Sequence, residues 1–158
     1  MKNFTIEFKW AAISIFTGLA WILLEKTLGL HDANIKWHPL FSMLIIFIII
    51  PLYYLAIRDK KNNFYNGTIT WKQGFICGLI ITVIVTLFTP LTQYISLNVI
   101  SPDYFKNAIA YTLSKSHMAQ ADAEAYFNLN SYIMQAVSMG LSFGVLCSGV
   151  ISYLTKSK

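Results

Sequence analysis

The sequence predicts an all-α fold: an integral membrane four-helix bundle with a short amphipathic helical segment on its outer face between helices 3 and 4. Three observations predict it. Hydrophobic residues make up 56% of the 158 residues and charged residues 12%, against about 45–50% and about 25% in soluble proteins. Four apolar stretches each approach the ~20 residues that span hydrocarbon. None of the four carries an ionisable residue at its centre. A soluble domain of this size needs a more charged surface, so an ordinary globular enzyme and a disordered chain are both excluded. The net charge of +5 is not arranged as a basic run with interleaved aromatics, so no nucleic-acid partner is expected.

The first crossing is expected at about 8–28. Lys2 and Lys9 precede it, but no small-x-small cleavage site closes it and Glu25-Lys26 follows. That pattern suits a retained helix rather than a secretory signal. The second crossing, 39–57, opens on His38-Pro39, where proline is tolerated at the first helical position. The connection from Gly29 to Trp37 is short enough to force an antiparallel helical hairpin. The inner connection, Arg58 to Trp71, contains Asn66-Gly67 between Phe64, Tyr65, Ile69 and Trp71, which predicts a short aromatic hairpin resting on headgroups. The third crossing covers 73–100 and the fourth 131–154. Between them, 101–127 forms the outer segment. Ser101-Pro102-Asp103 reads as its N-cap and first turn, and Tyr104, Phe105, Ala108, Ile109, Thr112 and Leu113 share one arc. The whole chain, 1–158, reads as one transmembrane domain.

Sidedness follows from Lys and Arg in the short loops. Lys2, Lys9, Arg58, Lys60, Lys61, Lys72, Lys156 and Lys158 fall on the side of the termini. Lys26, Lys36, Lys106 and Lys115 fall on the other. Five of the seven acids, Glu25, Asp32, Asp103, Asp122 and Glu124, lie opposite the termini. The expectation is a bacterial inner-membrane protein with both termini cytoplasmic.

Three groups of polar or small residues are candidates for function. In the third crossing Thr82, Thr86, Thr89, Gln93 and Ser96 recur with Gly78 within about 80° of one another, and Pro90 interrupts the backbone ladder among them. This stripe is a hydroxyl-bonded packing seam or, alternatively, a polar path. In the fourth crossing Gly140, Gly144 and Ser148 form a row for close helix approach. Ser131, Ser138, Ser142, Gly149 and Ser152 form another nearly opposite, so one face is open to a homodimer or a membrane-protein partner. On the outer side Glu25, His31, Asp32, His38 and His117 make a polar cluster. It lacks the short His spacings of common zinc sites, and His38 has a capping explanation. No metal, cofactor or catalytic residue is therefore assigned.

Several boundary patterns carry a family likeness: Leu24-Glu25-Lys26 through Gly29-Leu30-His31-Asp32, Phe64-Tyr65-Asn66-Gly67 leading into Thr70-Trp71-Lys72-Gln73-Gly74-Phe75, Pro90-Leu91-Thr92-Gln93-Tyr94, and Phe127-Asn128-Leu129-Asn130-Ser131-Tyr132. Over nearly its whole length the chain resembles domain of unknown function 4199, a family of bacterial membrane proteins common in Bacteroidota. The resemblance implies a four-helix integral membrane protein and brings no substrate, cofactor or catalytic residue with it. The function expected is that of a non-enzymatic structural, accessory or partner-binding membrane protein set in the lipid bilayer. The alternatives are an oligomeric small-solute or ion transporter or channel built on the helix 3 stripe, and a metal-dependent enzyme on the outer face.

Overall fold

A computed structural model describes residues 4–116 and 118–157. The described residues are helical with no strand. Helix α1 is Thr5–Thr27, α2 His38–Ser42, α3 Ile46–Asn63, α4 Trp71–Tyr94, α5 Tyr104–Lys115, α6 Gln120–Tyr126 and α7 Leu129–Thr155. Short 3-10 turns flank α2, and a π-helical stretch, Ile95–Ile100, extends α4. Four helical stretches are long and apolar enough to cross a membrane: Thr5–Thr27, Ile35–Asn63, Trp71–Ile100 and Leu129–Thr155. Their surfaces agree. Phe8, Phe16, Phe47, Leu87, Leu146 and Leu154 are all well exposed, a display that water does not tolerate and lipid does.

The chain divides into two compact units. The first comprises the residues up to Phe16, Ile46–Phe88, and those from Ser138 onward. Its core gathers Ala11, Tyr53, Ala56, Ile57, Ile69, Cys77, Ile81, Cys147 and Ile151. Both cysteines are buried and free, as their placement within crossings predicts. The two small-residue patterns prove here to be two sides of one seam. A Cβ on Gly78 would sit 2.4 Å from Ser148 Oγ, and one on Gly144 would sit 2.4 Å from Thr82. Gly74 meets Ser152 in the same way, and Thr86 Oγ1 lies 3.9 Å from where a Gly140 Cβ would point. Ser152 thus belongs to this seam and not to the opposite row, where Ser138 and Ser142 are exposed.

Two hydroxyls along the seam return to their own helices. Thr82 Oγ1 donates to the Gly78 carbonyl at 2.9 Å and Ser148 Oγ to the Gly144 carbonyl at 2.6 Å. Tyr53 OH lies 2.7 Å from Thr82 Oγ1 and ties α3 to α4. Because Thr82 donates to Gly78, Tyr53 must be the donor in that pair. Tyr53→Phe is expected to cost about 0.5–1.5 kcal/mol, one net hydrogen bond. A lowered thermal midpoint in detergent, with unchanged helical circular dichroism, is the outcome to look for.

The inner connection differs from its expectation. Helix α3 does not stop near Ile57 but continues through Asn63, and its charges join helices rather than headgroups. Asp59 accepts from Lys9 Nζ at 2.6 Å, Trp10 Nε1 at 2.7 Å and Asn63 Nδ2 at 2.7 Å. Lys61 Nζ reaches the Thr155 carbonyl. Lys60 and Glu7, both nearly inaccessible, form a two-pronged ion pair at 3.0 and 3.1 Å. Asn66 and Gly67 both have positive φ, 50° and 88°, and Thr68 N donates to the Tyr65 carbonyl. The tight turn is real, but no hairpin flanks it among the described residues. Ile69 pairs instead with Ser157.

The second unit comprises Thr17–Ile45 and Thr89–Val137. Its small core is Leu97, Tyr104 and Ala108, with Ile35, Phe105, Phe127, Leu129 and Tyr132 packed around it. The α5 arc is the expected one: Tyr104 and Ala108 are buried, while Phe105, Ile109, Thr112 and Leu113 are half-buried. Ser101 is not the side-chain cap of this helix. Asp103 occupies the cap position without a side-chain bond, and Ser101, wholly buried, is used elsewhere.

Candidate metal centre

Helix α1 ends in a Schellman motif. Gly29 takes φ 71°, Gly29 N donates to the Lys26 carbonyl and Leu30 N to the Glu25 carbonyl, both at 3.0 Å. Only glycine adopts this left-handed position without cost. The reversal folds His31, two residues on, back over the last turn of the helix and so over Glu25. The Gly29 carbonyl then accepts from Asp32 N and Asn34 N, and Asn107 Nδ2 holds the His31 carbonyl at 3.0 Å. His38 opens α2, with Pro39 beside it at the helix start.

These three turns bring Glu25, His31 and His38 together. One ligand atom from each lies within 4.8 Å of the others. Glu25 Oε2 is 3.5 Å from His31 Nε2 and 3.7 Å from His38 Nε2. The His31 and His38 rings stand nearly edge-on, 5.1 Å apart at 74°. Glu25 and His31 are buried and His38 half-buried. The separations lie beyond the about 2.7–3.2 Å of ordinary hydrogen bonds but within ion-pair reach. They are close to the edge of a tetrahedron about a zinc ion, about 3.4 Å for bonds of about 2.0–2.2 Å.

The opposite atom of each side chain is anchored. His31 Nδ1 lies 2.6 Å from Ser101 Oγ, and His38 Nδ1 3.2 Å from Tyr104 OH. Glu25 Oε1 accepts from Trp21 Nε1 at 2.9 Å and from Ser42 Oγ at 2.5 Å. Trp21 is fixed in turn by stacking on Phe41, 5.1 Å between centroids. Tyr104 OH also meets Tyr132 OH at 3.1 Å, and burial pushes its hydroxyl well above the ordinary phenol range, so it stays protonated. Such outer partners set tautomer and ring orientation at metal sites. In the tautomer that protonates Nδ1 on both rings, the two Nε2 lone pairs and Oε2 face one point.

The arrangement also resembles a Ser–His–Glu line, Ser101 to His31 to Glu25. Ser101 is 0% exposed, so its hydroxyl faces the ring and not an open cleft. Its bond to the ring is positional.

Of the expected outer cluster, then, three residues converge. Asp32 does not. Exposed, it accepts from Ala33 N at 2.6 Å and pairs with Lys26 at 3.5 Å. The Ala33 hydrogen bond foremost holds its carboxyl below the usual range. His117 lies outside the described residues. His38 caps the preceding 3-10 turn through its backbone N–H, which donates to the Ile35 carbonyl, while its ring nitrogens face Tyr104 and Glu25.

The helix 3 stripe divides between the two units. Thr82 and Thr86 belong to the α4–α7 seam. In the second unit Thr89 is half-buried and Pro90 exposed, while Gln93 and Ser96 face inward. Gln93 and Ser96 line a cavity of about 140 Å³ together with Glu25, His31, His38, Ile22, Leu97, Tyr104 and Tyr132. The sequence reading missed that this stripe and the outer cluster share one cavity, and it missed Ser42, Ser101, Tyr104 and Tyr132 as anchors. Gly29, three residues after Lys26 at the end of the first crossing, was the available signal.

No curated protein and no solved structure matches the chain. The family model described as "Protein of unknown function (DUF4199)" matches residues 9–157, nearly the whole chain, and the protein belongs to that family.

Proposed function

We propose that this is a multi-pass protein of the bacterial cytoplasmic membrane, with both termini in the cytoplasm, that holds a divalent transition-metal ion on Glu25, His31 and His38. Zinc is the first choice, since imidazole and carboxylate donors at these spacings suit it. One observation carries the reading: three donor atoms converge at 3.5 and 3.7 Å about Glu25 Oε2, within ion-pair reach but beyond ordinary hydrogen-bond length, while the far atom of each side chain is held by Ser101, Tyr104, Trp21 or Ser42. A buried carboxylate also calls for positive charge beside it. Lys and Arg counts favour the side of the membrane opposite the termini for this centre. The small-residue row Gly140, Gly144 and Ser148 lies against α4 within the chain, so a second copy would have to use another face.

The test is metal content after purification in mild detergent and reloading with zinc. Close to one ion per chain is expected, falling to background in a His31→Ala His38→Ala variant. Asp32→Ala, whose carboxylate points away, should keep its ion. Equal, substoichiometric metal in all three proteins would sink the proposal.

A further inference from the structure

Three protein donors leave a tetrahedral ion one position short. Structural zinc sites close the fourth position with protein, whereas sites that handle a substrate leave it open. Among the described residues the converging group ends at Glu25, His31 and His38. Ser101, Tyr104, Trp21 and Ser42 are all engaged with the far atoms of these ligands. The three donors line the cavity of about 140 Å³ whose other walls include Gln93, Ser96 and Tyr132. That space takes a molecule of a few non-hydrogen atoms.

Gln93 is the second observation. It is half-buried and lines the same cavity, yet its carboxamide makes no hydrogen bond to any described residue. Its carboxamide atoms are not fully buried, so they are open to a molecule that enters the cavity. Placed beside an ion, the amide offers a donor to whatever the ion binds. Charge narrows the class further. A divalent ion on one carboxylate and two neutral imidazoles carries one net positive charge, which a single small anion cancels, and a low-dielectric site favours that cancellation.

We propose that the fourth coordination position, facing the Gln93 cavity, is an exchangeable site for one small anion, and that Gln93 orients it by hydrogen bonding. The proposal rests on the metal-centre reading above. Water or hydroxide fills the position when nothing else is present. Ile22 and Leu97 form an apolar wall that suits a short carboxylate better than a fully hydrated oxyanion.

Cobalt(II) substitution tests this, because its visible bands report coordination directly. The protein in detergent, loaded with cobalt, is titrated with azide and then with acetate. Saturable band shifts with both are expected. Gln93→Met, which keeps the volume, should load the same cobalt stoichiometry yet bind azide about tenfold more weakly, the loss of one hydrogen bond to an anion. If cobalt loads but neither anion at large excess moves the bands, the position is closed and the inference is overturned while the metal centre stands. If Gln93→Met binds azide as tightly as the parent, the role given to Gln93 is wrong. Failure of cobalt and zinc to load at all removes the metal centre and the anion site together.

Discussion

Replacing Glu7 with leucine while Lys60 remains is expected to destabilise the protein by about 3–5 kcal/mol, the usual consequence of stranding one member of a buried ion pair. Both groups are nearly inaccessible, and the ammonium meets both carboxylate oxygens at 3.0 and 3.1 Å. Lys60 Nζ also lies 3.8 Å over the Phe64 ring, a contact that cannot replace a counter-charge. The double variant Glu7→Leu Lys60→Met should recover most of the loss, because removing both charges also removes both desolvation costs. Thermal or denaturant unfolding in a fixed detergent reads the difference. A single variant as stable as its parent would show that the pair is hydrated and carries little weight.

Gly78→Ala is expected to be the most damaging single-methyl change, at the upper end of the about 1–3 kcal/mol of overpacking. Its new carbon would meet Ser148 Oγ at 2.4 Å, Cβ at 2.7 Å and the backbone Cα at 3.1 Å, so rotating a side chain cannot relieve it. The two helices must separate. Gly144→Ala, meeting Thr82 at 2.4 Å, should behave similarly. Ser148→Gly in the Gly78→Ala background should restore part of the loss, a coupling that only direct contact produces. Gly18→Ala is the control: nothing lies within 4 Å of its Cβ position, and better helix propensity should leave stability unchanged or slightly raised. Equal effects at Gly78 and Gly18 would mean that the seam is not close-packed in solution.

Helices were legible because lipid makes one demand of every apolar run, that it pair its own backbone groups. The glycine and hydroxyl rows were legible because a four-residue period places them on one face. What that face met was not: Thr82 reads equally as a water-lined or a packed residue until Gly144 is seen beside it. Charges misled for a related reason. Lys60 was counted as a loop charge, yet the extension of α3 through Asn63 carries it inside, and nothing local in Lys60-Lys61-Asn62-Asn63 marks which lysine turns inward. The proposed metal centre was half visible. Its members were named as a cluster, but two of its three donors sit outside regular long helices, where direction depends on single dihedral angles such as that of Gly29. Ser101 looked like a cap because a buried serine and a capping serine share the same neighbours in sequence.

Glu25, His31 and His38 follow one another within a single hairpin, while Ser101, Tyr104 and Tyr132 belong to much later segments. During synthesis the donors therefore emerge and can close a small loop long before their anchors exist, and small loops close at little entropic cost. An ion captured at that stage would sit in a loose, exchange-prone nest. Arrival of the third and fourth helices would then lock it, so at the proposed centre the order of the chain would separate loading from retention.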